Sequence, residues 1–355
     1  MCTPSVGHYL YPPMRIASLF LLLAPMSTWA QPPAGYYDAA EGLSGEQLRA
    51  ALYGIIDGHT ELANSQLWAA FASTDRKADD TVWDMYSDIP GGTPAYSYAF
   101  GSDQCGTYSG EGDCFNREHS FPQSWFNGEP PMDTDLFHMY PTDAWANQKR
   151  ANNAYGTVSS TTWVGSNGSK LGQCNYPGCS GVVFEPIDAY KGDFARSYFY
   201  MLTRYLPQLN SWTSPMMQNG EFSPWAETML LEWHLDDPVS EKETNRNNAV
   251  FNLQGNRNPY IDQPQWVQAI WGPTADVAAL EAPLASLWFE NGLLRIEGLP
   301  LSGGTTVEVL DAAGRTVMVL VPSGSSLTVP MTLAPGLYVA SVRNGDRRSV
   351  LRFIP

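Results

Sequence analysis

Basic side chains are scarce in this sequence of 355 residues, where Lys and Arg total 20 against 36 Asp and Glu, a formal net charge of −16 at pH 7. Broad binding to a polyanion needs clustered cations that displace its counterions, so an extended basic face is excluded. Residues 31–283 hold 13 basic and 31 acidic side chains, a net of −18, which places the acidity in the larger part of the chain. A polyanion would have to be met in a local cleft, with weak, salt-sensitive affinity, while the acidic remainder favours solubility. Also missing are a G-x-x-x-x-G-K-[ST] loop, a G-x-S-x-G elbow and a glycine-rich dinucleotide fingerprint, so nucleotide-driven, esterase and dinucleotide chemistry have no support. Beyond the N-terminal region no apolar run approaches the roughly 18 residues that a membrane-spanning helix needs. A hydrophobic content of 43% nevertheless excludes a disordered chain and suffices for one sizeable core and a smaller one.

The N-terminus reads as a secretory leader over residues 1–30. Arg15 supplies the positive region, Ile16 to Ala24 the short apolar stretch, and Thr28-Trp29-Ala30 a small-residue cleavage site before Gln31. Translation from Met14 is an alternative start that would leave Cys2 outside the protein. Export leaves Cys105, Cys114, Cys174 and Cys179, an even number that favours two disulfides. Sequence proximity favours Cys105 with Cys114 and Cys174 with Cys179, one of three possible pairings. A zinc site is the weaker reading, because Cys105 and Cys114 are too far apart to form the matching second pair.

Apolar residues at helical spacing, Leu48, Leu52, Ile55, Ile56 and Leu62, predict a helix within Leu43–Leu62, with Ser44 as N-cap and Gln47 completing a capping box. Residues 88–114 read as loops, and 142–153 as a helix capped by Thr142. Helical spacing returns at Asp193–Leu206 and Trp225–Leu235. From Pro283 to Pro355 the period disappears; Val, Leu and Thr alternate between Gly292, Gly298, Gly314, Gly324 and Gly336, as in a small β-sandwich. The expectation is an α+β catalytic domain over residues 31–275, a linker at 276–283 and an all-β domain over 284–355.

The densest chemical cluster is Asn116-Arg117-Glu118-His119-Ser120-Phe121-Pro122, followed by Asp135 to Asp143 and by Asn147-Gln148-Lys149-Arg150. A neutral imidazole can take a proton from water near pH 7. A carboxylate and an amide carbonyl suit a hard cation such as Mg²⁺ that keeps several waters, and cationic side chains can hold a phosphate. About thirty residues separate Glu118 and His119 from Asn147, enough for a hairpin, a loop and a returning helix, the layout of a ββα-metal finger. The bland alternative for this cluster is a buried Glu and His satisfying each other in a core turn.

The strings Asn116 to Phe126, Asp135 to Asp143 and Asn147 to Gly156 resemble the signature of the bacterial endonuclease I family of secreted nucleases. Phe184-Glu185-Pro186, Lys191 to Arg196, Trp233-His234, Asp236 to Ser240 and Gln254 to Asp262 resemble its further blocks, in order, so that the likeness spans roughly residues 36–271. The resemblance implies that His119 is the general base and that Glu118 and Asn147 are ligands of one divalent ion, Mg²⁺ with Mn²⁺ or Ca²⁺ as alternatives. It further implies hydrolysis of DNA, RNA or both to 5′-phosphate ends. Some of Arg117, Lys149, Arg150, Lys191, Arg196 and Arg257 are expected along the phosphate track, with Arg150 and Arg196 the candidates for direct contact; their alternative role is in ion pairs. Where relatives carry two adjacent histidines this chain has Phe137-His138. His138 is expected to pack beneath the finger, His59 and His234 to be structural, and the tryptophans to belong to the core rather than to a base-stacking platform.

Residues 284–355 resemble the C-terminal sorting domain of the type IX secretion machinery. The likeness rests on Val307 to Asp311 with Gly314-Arg315, Leu333, Pro335 to Val339, and a basic stretch before Phe353-Ile354-Pro355, with Arg347, Arg348 and Arg352 where relatives often have lysine. The segment has no His, no Cys and no clustered carboxylates, and so no equipment for catalysis; a carbohydrate-binding or adhesive module is the alternative. The whole reads as a secreted, extracellular or cell-surface, monomeric, non-specific endonuclease without a membrane span. The competing reading is an inactive secreted binding or adhesion protein that keeps the fold.

Overall fold

A computed structural model describes residues 32–272, 284–290, 292–300, 304–311, 315–334, 336, 338–345, 347–353 and 355. The leader and linker expected at 1–30 and 276–283 lie outside the described residues, as do Gly314, Pro335, Leu337 and Ile354 of the tail motif. The chain forms two compact units, Met1–Pro273 and Thr274–Pro355.

In the first unit α1 (Gly45–Ile56) buries Leu48, Leu52 and Ile56 completely. It is shorter than its apolar pattern, ending where Gly58 takes a φ of +70°. Ser44 does occupy the N-cap position, but its side chain makes no capping bond and the expected box with Gln47 does not form. Next come α2 (Leu67–Thr74), β1 (Phe115–His119), β2 (Met139–Asp143) and α3 (Ala144–Arg150). The cap of α3 is Asp143, not Thr142: its carboxylate accepts the Ala146 amide at 2.7 Å, which an ionised oxygen at a helix start does better than a hydroxyl. α3 stops at Arg150 because Ala151 has a φ of +51°.

A four-stranded sheet that the apolar periodicity did not announce follows: β3 (Ala154–Tyr155), β4 (Val158–Val164), β5 (Lys170–Cys174) and β6 (Val182–Glu185), in the order β3-β6-β5-β4. β3 runs parallel to β6 and the other pairs are antiparallel. Gly172 must be glycine here, since a Cβ would lie 2.2 Å from the Ser160 carbonyl oxygen. The disulfides Cys105–Cys114 and Cys174–Cys179 join the cysteines nearest in sequence.

The remaining elements are α4 (Lys191–Arg204), β7 (Met217–Gln218), β8 (Glu221–Phe222), α5 (Pro224–Asp236), α6 (Glu241–Gln254), α7 (Pro259–Asp262) and α8 (Gln265–Trp271). α4 is the spine: every residue from Gly192 to Arg204 is buried, not only the apolar face read from its spacing. Its polar residues are tolerated because each is paired. Arg196, fully buried, grips both oxygens of Glu243 at 2.5 and 2.8 Å and donates to the Asp237 carbonyl at 2.8 Å. Glu243 also closes the capping box of α6, accepting the Ser240 amide at 2.9 Å while Ser240 Oγ accepts the Glu243 amide at 3.2 Å. The expectation that Arg196 contacts phosphate is therefore corrected: it is an internal tie between α4 and α6, far too enclosed to reach a substrate.

Asp135 is a second buried hub, at the end of the long β1–β2 connection. It accepts from Tyr200 at 2.8 Å, Tyr205 at 2.7 Å, the Gln254 amide at 3.0 Å and the Phe137 N–H at 3.0 Å. Burial works to raise its pKa, yet the neighbouring His59 and His138 and these donors hold it at about 2.

The second unit contains β9 (Ser286–Glu290), β10 (Leu293–Glu297), β11 (Thr306–Asp311), β12 (Thr316–Leu320), β13 (Ser326–Pro330), β14 (Tyr338–Asn344) and β15 (Arg347–Phe353). They form two antiparallel sheets, β13-β10-β9 and β12-β11-β14-β15, around Leu294, Ile296, Val307, Val309, Ala340 and Val342. This is the all-β unit expected from the alternation. Gly292 and Gly298, at φ of +75° and +80°, make the turns beside β10 that side chains would strain.

Replacing Arg196 by alanine removes the ion-pair partner of Glu243 in the core and the tie between α4 and α6. Urea unfolding should show a loss of about 3–5 kcal/mol; an unchanged stability with weakened substrate binding would instead return Arg196 to the phosphate track.

Candidate active site

β1 and β2 pair antiparallel with Glu118 opposite Tyr140 and His119 opposite Met139, and α3 follows β2 without a gap. The hairpin and helix expected from the spacing of Glu118, His119 and Asn147 are thus formed. All three residues line one cleft of about 250 Å³, together with Arg117, Arg150 and Gln123.

Glu118 and His119 do not satisfy each other. Glu118 Oε1 accepts from Tyr86 at 2.8 Å and from Arg150 at 3.0 Å. Its other oxygen has no hydrogen-bond partner among the described residues. Burial raises the Glu118 pKa to about 7, against the pull of Arg150 and Tyr86. A buried carboxylate with one open oxygen is well suited to a cation, which would replace the lost hydration.

His119 Nε2 lies 2.9 Å from the carbonyl oxygen of Asp133 in the β1–β2 connection. A carbonyl only accepts, so Nε2 carries the proton and Nδ1 keeps the lone pair. Burial, with the adjacent His138, lowers the imidazole pKa to about 3. The ring is therefore neutral throughout the physiological range, the state a general base requires. His138 is fully buried behind it, with ring centroids 5.5 Å apart, and donates to the Met132 carbonyl at 2.6 Å.

Asn147 projects from the middle of α3. Its amide nitrogen donates to Asn116 Oδ1 at 2.7 Å and to the Arg117 carbonyl at 3.2 Å, which fixes the amide and leaves its Oδ1 free among the described residues. Two open oxygens, one carboxylate and one amide, fit a hard cation that retains waters. Among the described residues no group of three or more His, Cys, Asp or Glu could hold a metal, so a zinc-type cage does not fit.

Arg150 is at the cleft but behind it, with 1% of its surface exposed. Besides Glu118 it donates to the carbonyls of His119, at 2.8 Å, and Ser120, and to Tyr198 at 3.2 Å. These bonds make it a positioning residue for Glu118 and the end of β1. Of the other candidate cations, Lys191 pairs with Glu185 and Asp188, and Arg257 with Asp262. Only Arg117 and Lys149, among the 13 described basic residues of this unit, have no carboxylate partner among the described residues. Each sits over an indole, Arg117 5.2 Å from the Trp68 ring centre and Lys149 4.4 Å from that of Trp145. Sequence reasoning gave no role to Asn116, Tyr86 or the Asp133 carbonyl. Asn116 lay within the motif, while nothing in the spacing pointed to Tyr86 or to a backbone oxygen.

Comparison with known proteins places the sequence among nucleases. The chain is 33% identical over 271 residues to the "Extracellular ribonuclease" of Bacillus subtilis (strain 168), covering 73% of this chain and 85% of that one. It is 34% identical over 257 residues to the "Extracellular ribonuclease" of Bacillus amyloliquefaciens, covering 66% and 78%. A shorter likeness, 29% over 131 residues, covers 37% of this chain and 46% of "Endonuclease-1" of Buchnera aphidicola subsp. Baizongia pistaciae (strain Bp). Residues 44–265 match the Endonuclease I family, and the chain belongs to that family.

Proposed function

We propose that this protein is a secreted, non-specific endonuclease that hydrolyses phosphodiester bonds of RNA, DNA or both with one divalent cation and one histidine. The observation that carries the reading is the meeting, in one cleft, of an open carboxylate oxygen on Glu118, an open amide oxygen on Asn147 and a neutral imidazole at His119. Export is supported by the leader pattern and by the relatives named as extracellular. The tail unit carries no catalytic groups and would serve as the type IX sorting domain that its motif resembles.

Glu118 and Asn147 would hold the cation, Mg²⁺ by the hardness of the two oxygens; when bound it would offset charge growing on the phosphate and the leaving oxygen. His119 Nδ1 would take a proton from the attacking water, while the Asp133 carbonyl holds the ring in the required tautomer. Arg150 keeps the Glu118 oxygen in place, and Arg117 offers the phosphate an unpaired cation. Water, not the 2′-hydroxyl, is the nucleophile in this scheme, so the same parts serve either sugar. Displacement of the 3′ oxygen, which would take its proton from a solvent water, leaves the phosphate on the 5′ side.

Incubation with supercoiled plasmid and with single-stranded RNA, in Mg²⁺ and in EDTA, tests the assignment. Wild type should cut only with Mg²⁺, and His119→Ala should be slower by roughly a hundredfold or more. Equal activity of the two proteins, or cleavage in EDTA, would sink the assignment. A second expectation concerns pH. Because the Glu118 pKa is raised to about 7, protons compete with the cation below that value. Activity at limiting Mg²⁺ should fall as the pH drops below about 7, and tenfold more Mg²⁺ should move this limb down by up to about one pH unit. A limb that ignores Mg²⁺ would mean that Glu118 is not the ligand.

A further inference from the structure

A second cleft, of about 540 Å³, adjoins the catalytic one and is lined by Trp68, Gln104, Cys105, Gly106, Asn116 and Arg117. Arg117 lines both clefts. Asn116 links them chemically, because the oxygen that orients Asn147 belongs to a side chain whose own amide nitrogen is unpartnered among the described residues. We infer that this second cleft is a nucleobase subsite that takes an unstacked base next to the scissile phosphate and so directs the enzyme to single-stranded nucleic acid. The inference rests on the nuclease reading of the neighbouring cleft.

The groups present match that occupant. Trp68 is half-buried, braced edge-on by Phe71 at 6.2 Å and Phe115 at 5.6 Å, and its indole N–H makes no hydrogen bond among the described residues. The Arg117 guanidinium, tied to Asn64, lies over the same ring, 5.2 Å from its centre, so it covers one face of the indole and the two groups stand together at the cleft. Bases stack on both surfaces regardless of sequence. Gln104 makes no side-chain hydrogen bond among the described residues, so the cleft is lined by one free amide, on Gln104, and by the unpartnered amide nitrogen of Asn116. Amides pair with the mixed donor and acceptor edges of bases. The volume falls in the range of roughly 300–1,000 Å³ usual for small-ligand sites.

The preference for single strands follows from charge. Placing a duplex base on Trp68 requires unstacking and unpairing it, at a cost of a few kcal/mol. A basic groove could offset that through phosphate contacts, but residues 31–283 carry a net charge of −18, and among the described residues there only Arg117 and Lys149 lack a carboxylate partner. A single strand brings its base already exposed.

The test compares cleavage of one short RNA oligonucleotide, alone and annealed to its complement, by the full chain in Mg²⁺. Wild type should favour the single strand by tenfold or more in kcat/KM. Trp68→Leu, which keeps apolar bulk against Phe115, should lower the single-strand to duplex ratio roughly tenfold or more. Gln104→Ala, which disturbs no internal bond, should lower it less and in the same direction. A wild type indifferent to strandedness, or variants that keep the ratio, overturns the subsite. Anisotropy of the labelled single strand in EDTA separates this from the nuclease reading: should wild type prove inert, weaker binding by Trp68→Leu and Gln104→Ala still supports the subsite, and equal binding overturns it.

Discussion

The catalytic cleft depends on one buried guanidinium. Arg150, at the C-terminal end of α3, reaches back to Glu118, to the carbonyls of His119 and Ser120, and to Tyr198 on α4. It thereby fixes the end of β1 against both helices. Desolvating such a cation is expensive, and the donors it supplies must all be used to recover that cost; here most are. The same pairing lets Glu118 stay buried with one oxygen open, which neither residue could sustain alone. Sequence reading assigned Arg150 to the substrate. The structure gives it the other task that a buried arginine performs, which is to make a carboxylate available to something else.

The finger itself was legible because its chemistry is local. Glu118 and His119 are adjacent on β1, and the spacing to Asn147 fits a strand, a connection and a turn of helix, so order and distance along the chain predicted a common cleft. The four-stranded sheet was not legible, since β3 and β6 have only two and four residues and β4 is mostly exposed, leaving no long apolar alternation. Thr142 looked like the cap of α3 because it opens the polar stretch, but the cap is set by which residue leaves the strand last, and that is Asp143. Arg196 lay in a matched block and was read as a phosphate contact. Its partner Glu243 is 47 residues away and nothing local announces the pair.

The charge that counted against a polyanion substrate also takes a different form in three dimensions. Eleven of the 13 described basic residues of the larger unit are held by carboxylates, many of them buried, so they do not contribute a positive field. Those pairs bind α4 and α6 to each other and to the loops around them, at Arg196–Glu243, Lys242–Asp193 and Arg246–Asp75. The net charge of the sequence therefore understates how few cations face solvent unopposed.

With Arg117 and Lys149 as the unpaired cations among the described residues of the larger unit, phosphate attraction there cannot be the main source of substrate affinity. On the proposed reading, affinity comes from groups that act at short range: the cation that Glu118 and Asn147 would hold, and surfaces on which a base could lie. Both unpaired cations stand over tryptophans, which lowers the cost of ordering their long side chains and offers a flat face beside the charge. An acidic nuclease built this way gives up the long-range steering that a basic groove provides. If the proposed base subsite operates, its selectivity rests on whether a base is free to leave its neighbours, a property of the substrate's own structure rather than of its charge.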